Sequence, residues 1–243
     1  MNIDWLTKQK IAHRGLFNDK FPENSLPAFK NACKHNFAIE LDVHDISDNN
    51  IIVFHDTTLN RMCGINKKVK DLKTEELENC YLLNTNYTIP TLKEVLDVVD
   101  GKVPIIIELK IDTIRETLSQ KVYQIIKDYK GPIAVKSFNH FTILWFKKHA
   151  PHIIRGMLGS SLKDMKLPRI YKWFIRNLYM FNFIKPHFIS YNFDDLPYKN
   201  VSKRKVPILT WTIKNSNQEK QALQIADNII FDSYIPDKSQ IGV

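Results

Sequence analysis

The stretch Ala38 to Asp56, "AIELDVHDISDNNIIVFHD", holds two runs of β-branched and apolar residues separated by only seven residues. A parallel crossover needs a dozen residues or more, so Ile51 to His55 must return antiparallel to Ala38 to Val43, as a hairpin. Asp48, Asn49 and Asn50 supply its turn, being residue types that tolerate positive φ where glycine is absent. Outward from this hairpin, apolar runs recur at Lys10 to His13, Val103 to Leu109, Ile133 to Ser137, Ile153 to Leu158, Phe188 to Tyr191, Val206 to Thr212 and Asn228 to Phe231. Helical patterns lie between several of them: Ser25 to His35 with a serine N-cap, Thr113 to Tyr129, Asn139 to His149 and Asn217 to Ile225. With the returning arm set aside, eight strands alternate with helices, and that count closes into a TIM-type (β/α)8 barrel. Residues 1–243 are expected to be a single barrel domain. Residues 57–92, too long for a plain connection, are expected to be an insertion after the second strand and its hairpin, with a small helix near Thr74 to Leu82.

Composition narrows the class. A hydrophobic share of 44% with 25% charged residues belongs to a globular chain with a sizeable core. Thirty-five Lys and Arg against 26 Asp and Glu give +9, a field that favours phosphate-bearing partners. The densest basic block, Lys203-Arg204-Lys205, is too short for a nucleic-acid arm, so nucleic acid is not expected as a partner. Cys33, Cys63 and Cys80 are odd in number and lack C-x-x-C spacing, which argues against a disulfide framework or a zinc site. With no signal-like apolar region at "MNIDWLTKQKIAHRG" and no uninterrupted run of about 18 apolar residues, a cytoplasmic setting is expected.

Chemistry gathers at strand ends. Glu40 and Asp42 are two apart and share one strand face, and Glu108 and Lys110 repeat that pattern on another strand. A buried glutamate needs a cation or a proton, and Lys110 alone would be a sufficient partner for Glu108. Three acids at two strand ends make a divalent metal the better account, and carboxylate oxygens favour Mg²⁺ or Ca²⁺ over zinc. His13 and His55 close apolar strands beside this cluster and suit a general acid and base pair. His44 is read as pointing away from Asp42, and it is grouped with His35, His140, His149, His152 and His187 as surface or core. No G-x-S-x-G and no Gly-rich phosphate loop is present, so phosphate recognition falls to Arg14, Lys110 and the metal. Gly15, one of seven glycines, is expected to turn the chain sharply at the barrel mouth.

"IAHRG" (11–15), "PENS" (22–25), "IELDV" (39–43), "VFHDTTLNR" (53–61), "IPTLKEVLD" (89–97), "IIIELK" (105–110), "VKSF" (135–138) and "LTWT" (209–212) occur in the order found in the glycerophosphodiester phosphodiesterase family, which the chain resembles over nearly its whole length. The resemblance implies a β/α barrel that uses a divalent metal to hydrolyse glycerophosphodiesters to sn-glycerol 3-phosphate and an alcohol. By position it implies Glu40, Asp42 and Glu108 as metal ligands and His13 and His55 as acid and base. It further implies Arg14 and Lys110 as phosphate contacts, Trp211 as an aromatic wall near the glycerol, and 57–92 as the family insertion. Serine at position 25 replaces a common threonine, "IIFDSYIPD" (229–237) departs from the usual ending, and 156–200 is the least family-like region.

Within that region, "LPRIYKWFIRNLYMFNFIKPHF" (167–188) sets Arg169, Lys172 and Arg176 on one helical face among aromatic and aliphatic residues. One reading is an outer barrel helix packed on the sheet. The other is a weak peripheral membrane contact through residues 168–184. That segment alone invites a second functional reading, a phospholipase-like barrel acting on lysophospholipids or sphingolipids at membrane surfaces. A third, a catalytically silent binding barrel, is disfavoured because each acid, base and metal position carries a competent residue. The sequence assigns no oligomeric state.

Overall fold

The computed structural model describes residues 2–110, 117–163 and 166–236. The strands are β1 (Ile11–His13), β2 (Ala38–Asp45), β3 (Ile51–Val53), β4 (Ile105–Leu109), β5 (Ile133–Ser137), β6 (Ile154–Gly159), β7 (Phe188–Asn192), β8 (Ile208–Ile213) and β9 (Asn228–Phe231). The helices are α1 (Trp5–Lys8), α2 (Leu26–Lys34), α3 (Asn60–Cys63), α4 (Leu92–Val99), α5 (Thr117–Ile126), α6 (His140–His149), α7 (Arg169–Arg176), α8 (Phe181–Ile184), α9 (Lys199–Ser202) and α10 (Ser216–Ala222). The hydrogen-bonded order is β1-β9-β8-β7-β6-β5-β4-β2-β3, with β1 also paired to β2. That is the connectivity of a TIM-type (β/α)8 barrel, with β3 added antiparallel to β2. Thr113 to Glu116 of the helix expected from sequence, and Asp237, lie outside the described residues.

The chain divides into two compact units, the first running from Ala12 to Ile133. Its centre is β2, buried along seven of its eight residues and paired in parallel with β4. β3 returns as the spacing required, with Val43 opposite Val53 and Asp45 opposite Ile51, and Asn49 takes the positive φ of the turn at 70°. α2 starts at Ser25, whose hydroxyl accepts from the Ala28 amide, and α4 starts at a reciprocal Thr91–Glu94 cap. The insertion packs directly on the hairpin. Leu59, Met62, Val69, Leu72, Leu77, Leu82 and Ile89 share one core with Ile46, Ile52 and Phe54. The small helix expected near Thr74 to Leu82 is present as a 3-10 helix, Thr74–Asn79. Glu76 closes that turn onto the Lys73 amide at 2.9 Å and pairs with Lys67.

The second unit runs from Ala134 onward and includes the residues up to Ile11. β6, β7, β8 and β9 pair in parallel. Asn228 fastens the chain's first turn by donating to the Leu6 and Gln9 carbonyls at 2.8 and 2.7 Å, and Lys10 makes a buried ion pair with Glu219 at 3.1 Å. No helix among the described residues is long and apolar enough to cross a membrane.

His140 opens α6 with its side chain buried, its ring tilted against Phe174 at a centroid distance of 5.3 Å. Burial pulls its pKa down from 6.5 to about 4, and the Leu158 backbone offsets this only in part. The native state then takes up the proton later than the unfolded chain does. The associated stability is complete above pH 6.5 and is lost as the pH falls towards 4, to at most about 3 kcal/mol. His140→Phe is expected to flatten the decline of the melting temperature over that window. An unchanged acid limb would contradict the assignment.

Candidate active site

The first unit gathers most of the candidate residues. Asp42 and Glu108 are register partners on the adjacent parallel strands β2 and β4, and Glu40 lies two residues back on the same face as Asp42. The three side chains are buried, and each offers a carboxylate oxygen within 4.8 Å of the other two. Lys110, just beyond β4, places Nζ 3.0 Å from Asp42 Oδ1 and 2.6 Å from Glu108 Oε1. Burial opposes charge on Asp42, but Lys110, His55, Arg14 and His13 more than offset it and hold the carboxyl far below its ordinary range. Burial likewise opposes charge on Lys110, and Asp42 and Glu108 overcome it and raise the ammonium.

The end of β1 is bent to serve this cluster. Arg14 and Gly15 both have positive φ, 56° and 79°, a conformation that costs a non-glycine residue energy and persists only where its surroundings fix it. The bend aims the Arg14 amide at Glu40 Oε2 (3.3 Å) and sets Nε 3.6 Å from Asp42 Oδ2. Position 15 needs glycine on two counts, because a Cβ there would also lie 2.9 Å from Phe29 Cδ1 and 3.1 Å from the Ala28 backbone.

Around this centre is a tier of residues with no role expected from sequence. Asn24 donates to Asp42 Oδ2 at 3.0 Å. Glu23 accepts from Arg14 and from Arg61, each at 2.7 Å. Arg61 also forks onto Asp56, Nε to Oδ2 at 2.7 Å and NH2 to Oδ1 at 2.9 Å. Asp56 faces His55 Nδ1 at 2.8 Å. The Arg61 hydrogen bonds lower Asp56 to about 2, so it stays an acceptor and fixes the proton of neutral His55 on Nδ1. His55 Nε2 is thereby the proton-accepting nitrogen. Burial first, and then the Lys110 charge, lower His55 below its ordinary value. "PENS" and "VFHDTTLNR" were the available signals for this tier, because each sets an acid beside residues already singled out.

His44 differs from its sequence reading. Its two-residue spacing from Asp42 puts it on the same strand face, and its buried Nε2 lies 3.2 Å from the His55 carbonyl oxygen, where it supports the turn after β3. Trp211 lies on β8, in the second unit, with its ring edge-on to Phe138 at 6.0 Å.

The donor set fits a hard divalent cation. Oxygens within 4.8 Å of one another can share an ion at about 2.0–2.6 Å each. The buried triad could therefore hold a metal ion. Among the described residues, Arg14 and Arg61 pair with Glu23, Arg61 with Asp56, and Lys110 with both Asp42 and Glu108, so several of the acids around the site have cationic partners.

A sequence profile described as the Glycerophosphoryl diester phosphodiesterase family matches residues 13–235. The chain belongs to this family. Among relatives of this phosphodiesterase, the glycerophosphodiester phosphodiesterase of Bacillus altitudinis is 37% identical over 176 residues, 66% of this chain and 71% of that one. The lysophospholipase D of Rattus norvegicus is 35% identical over 133 residues, 49% of this chain and 41% of its own length. The solved structure of an Oleispira antarctica phosphodiesterase in complex with the product sn-glycerol 3-phosphate superimposes with a TM-score of 0.78 at 22% identity, over 94% of each chain. That similarity shows the shared fold.

Proposed function

We propose that this phosphodiesterase hydrolyses small glycerophosphodiesters to sn-glycerol 3-phosphate and an alcohol, with Mg²⁺ or Ca²⁺ held by Glu40, Asp42 and Glu108. The observation that carries the reading is the buried carboxylate triad set against Lys110, Arg14 and two histidines within one unit of a chain of this family. When bound, such an ion supplies Lewis-acid polarisation of a phosphoryl oxygen. Arg14 and Lys110 orient the anionic phosphodiester and stabilise the charge that grows on its oxygens during attack. One of His13 and His55 takes the proton from the attacking oxygen as its bond to phosphorus forms. The other gives a proton to the alcohol oxygen as the P–O bond breaks. Asp56 and Arg61 hold His55 in one tautomer and orientation. Trp211 is assigned to the glycerol wall by its family position, and residues 1–243 act as one barrel domain.

A second reading, cleavage of lysophospholipids at a surface, is favoured by the similarity to the rat lysophospholipase D. A substrate panel separates the two. With divalent metal, glycerophosphocholine and glycerophosphoethanolamine are expected to give sn-glycerol 3-phosphate at rates at least about tenfold above lysophosphatidylcholine. Preferential cleavage of the lysophospholipid establishes the second reading, and failure to cleave any of them establishes a silent barrel.

A further inference from the structure

We infer that α7, α8 and the turn between them form a docking surface for an anionic lipid bilayer. The inference is independent of the reaction proposed for the first unit. An outer barrel helix normally buries an apolar stripe, yet α7 buries only Ile175. Ile170 is 73% exposed, Trp173 50%, Tyr179 56% and Phe183 65%.

These side chains are presented by a firmly held scaffold. Ile175, Leu178 and Ile184 anchor it in the interior. Tyr191 Oη donates to the Arg176 carbonyl at 3.0 Å, Arg155 donates to the carbonyls of Ile184 and Lys185 at 3.3 and 3.0 Å, and Lys147 donates to the Phe183 carbonyl. Trp173 and Phe174 both pack on Tyr179, with ring centroids 5.7 and 5.1 Å apart, which joins these three rings into one aromatic cluster.

Charge selects the occupant. From Lys166 to Tyr191 the sequence carries five basic residues, Lys166, Arg169, Lys172, Arg176 and Lys185, and no Asp or Glu. Arg176 lies over the Tyr198 ring and Lys172 caps the Lys163 carbonyl. Among the described residues, no carboxylate pairs with Lys166, Arg169 or Lys185. A second copy would bring the same positive charge to the face and be repelled. A nucleic acid would leave the exposed Ile170 and Phe183 side chains without an apolar partner. An anionic lipid surface meets both needs, with phosphates for the cations and the interfacial layer for Trp, Tyr, Phe and Ile side chains.

The test is co-sedimentation of the whole chain with phosphatidylcholine vesicles, with and without about one third phosphatidylglycerol, at about 50 mM and about 500 mM salt. Partitioning is expected to be at least about tenfold stronger onto the anionic vesicles at low salt and to fall at least about tenfold at high salt. Ile170→Ser with Trp173→Ser should weaken it about tenfold or more, and Arg169→Gln about fivefold. These positions are exposed, so the variants should keep wild-type melting temperatures and wild-type turnover of a water-soluble glycerophosphodiester. Absence of sedimentation with anionic vesicles at low salt would overturn the inference, as would binding that ignores the Ile170 and Trp173 changes. So would a dimer in sedimentation velocity that Ile170→Ser dissociates, which would give the face to a second copy.

Discussion

Asp42→Asn is expected to lower turnover of glycerophosphocholine by about a thousandfold or more and to abolish saturable Mg²⁺ or Ca²⁺ binding measured by calorimetry. Asp42 is the hub of the site. It accepts from Asn24 and Lys110, faces Arg14, and stands opposite Glu108 in the register of β2 and β4. The substitution also tests the electrostatics of the protein without metal. If the triad were merely three repelling carboxylates, removing one charge would stabilise that form. Here positive neighbours hold Asp42 ionised, so a neutral amide in its place would leave Lys110 with Glu108 alone and Arg14 without one of its anions. The metal-free melting temperature should therefore fall at pH 7. The difference should vanish as the pH drops through the depressed Asp42 titration, where wild type loses the same charge. A rise in melting temperature, or retained metal binding, would remove Asp42 from its assigned place.

The second large effect is expected at the histidines. His13→Ala and His55→Ala should each reduce kcat by about 10²–10⁴-fold with the fold and metal affinity preserved, because each removes a proton carrier and no metal ligand. The double variant should be little worse than the weaker single variant, since losing either partner already breaks the concerted transfer. The Asp56 and Arg61 pairing distinguishes the two. Asp56→Asn should reduce kcat through His55 alone, and should add almost nothing in a His55→Ala background. Near-wild-type rates in either single variant would contradict the acid and base assignment.

Much of the architecture is legible in local patterns. The seven residues between Val43 and Ile51 forbid a parallel crossover, and β3 returns antiparallel as that spacing demands. Two-residue alternation puts Glu40 beside Asp42, but only the register of β2 and β4 shows that Glu108 stands opposite Asp42. The same alternation places His44 on that face, contrary to its reading as pointing away. The Glu23, Arg61 and Asp56 tier is less legible. Glu23 and Arg61 are 38 residues apart, and their meeting depends on how the "PENS" turn and the insertion fold back. Gly15 announces a bend, whereas the positive φ of Arg14 is imposed by tertiary bonds that no single-residue preference encodes. At 167–188 the helical pattern is plain. How the segment is held depends on residues outside it: Tyr191 bonds the last residue of α7, and Arg155 and Lys147 bond the end of α8.

The most direct measurement is phosphorus NMR of glycerophosphocholine incubated with the metal-stripped protein, followed by addition of Mg²⁺ or Ca²⁺. The expected result is no reaction before addition and a growing sn-glycerol 3-phosphate signal after it, absent throughout with Asp42→Asn. Product formed at the same rate in excess EDTA, or none after either metal, would contradict metal-dependent glycerophosphodiester hydrolysis at the Glu40, Asp42 and Glu108 cluster.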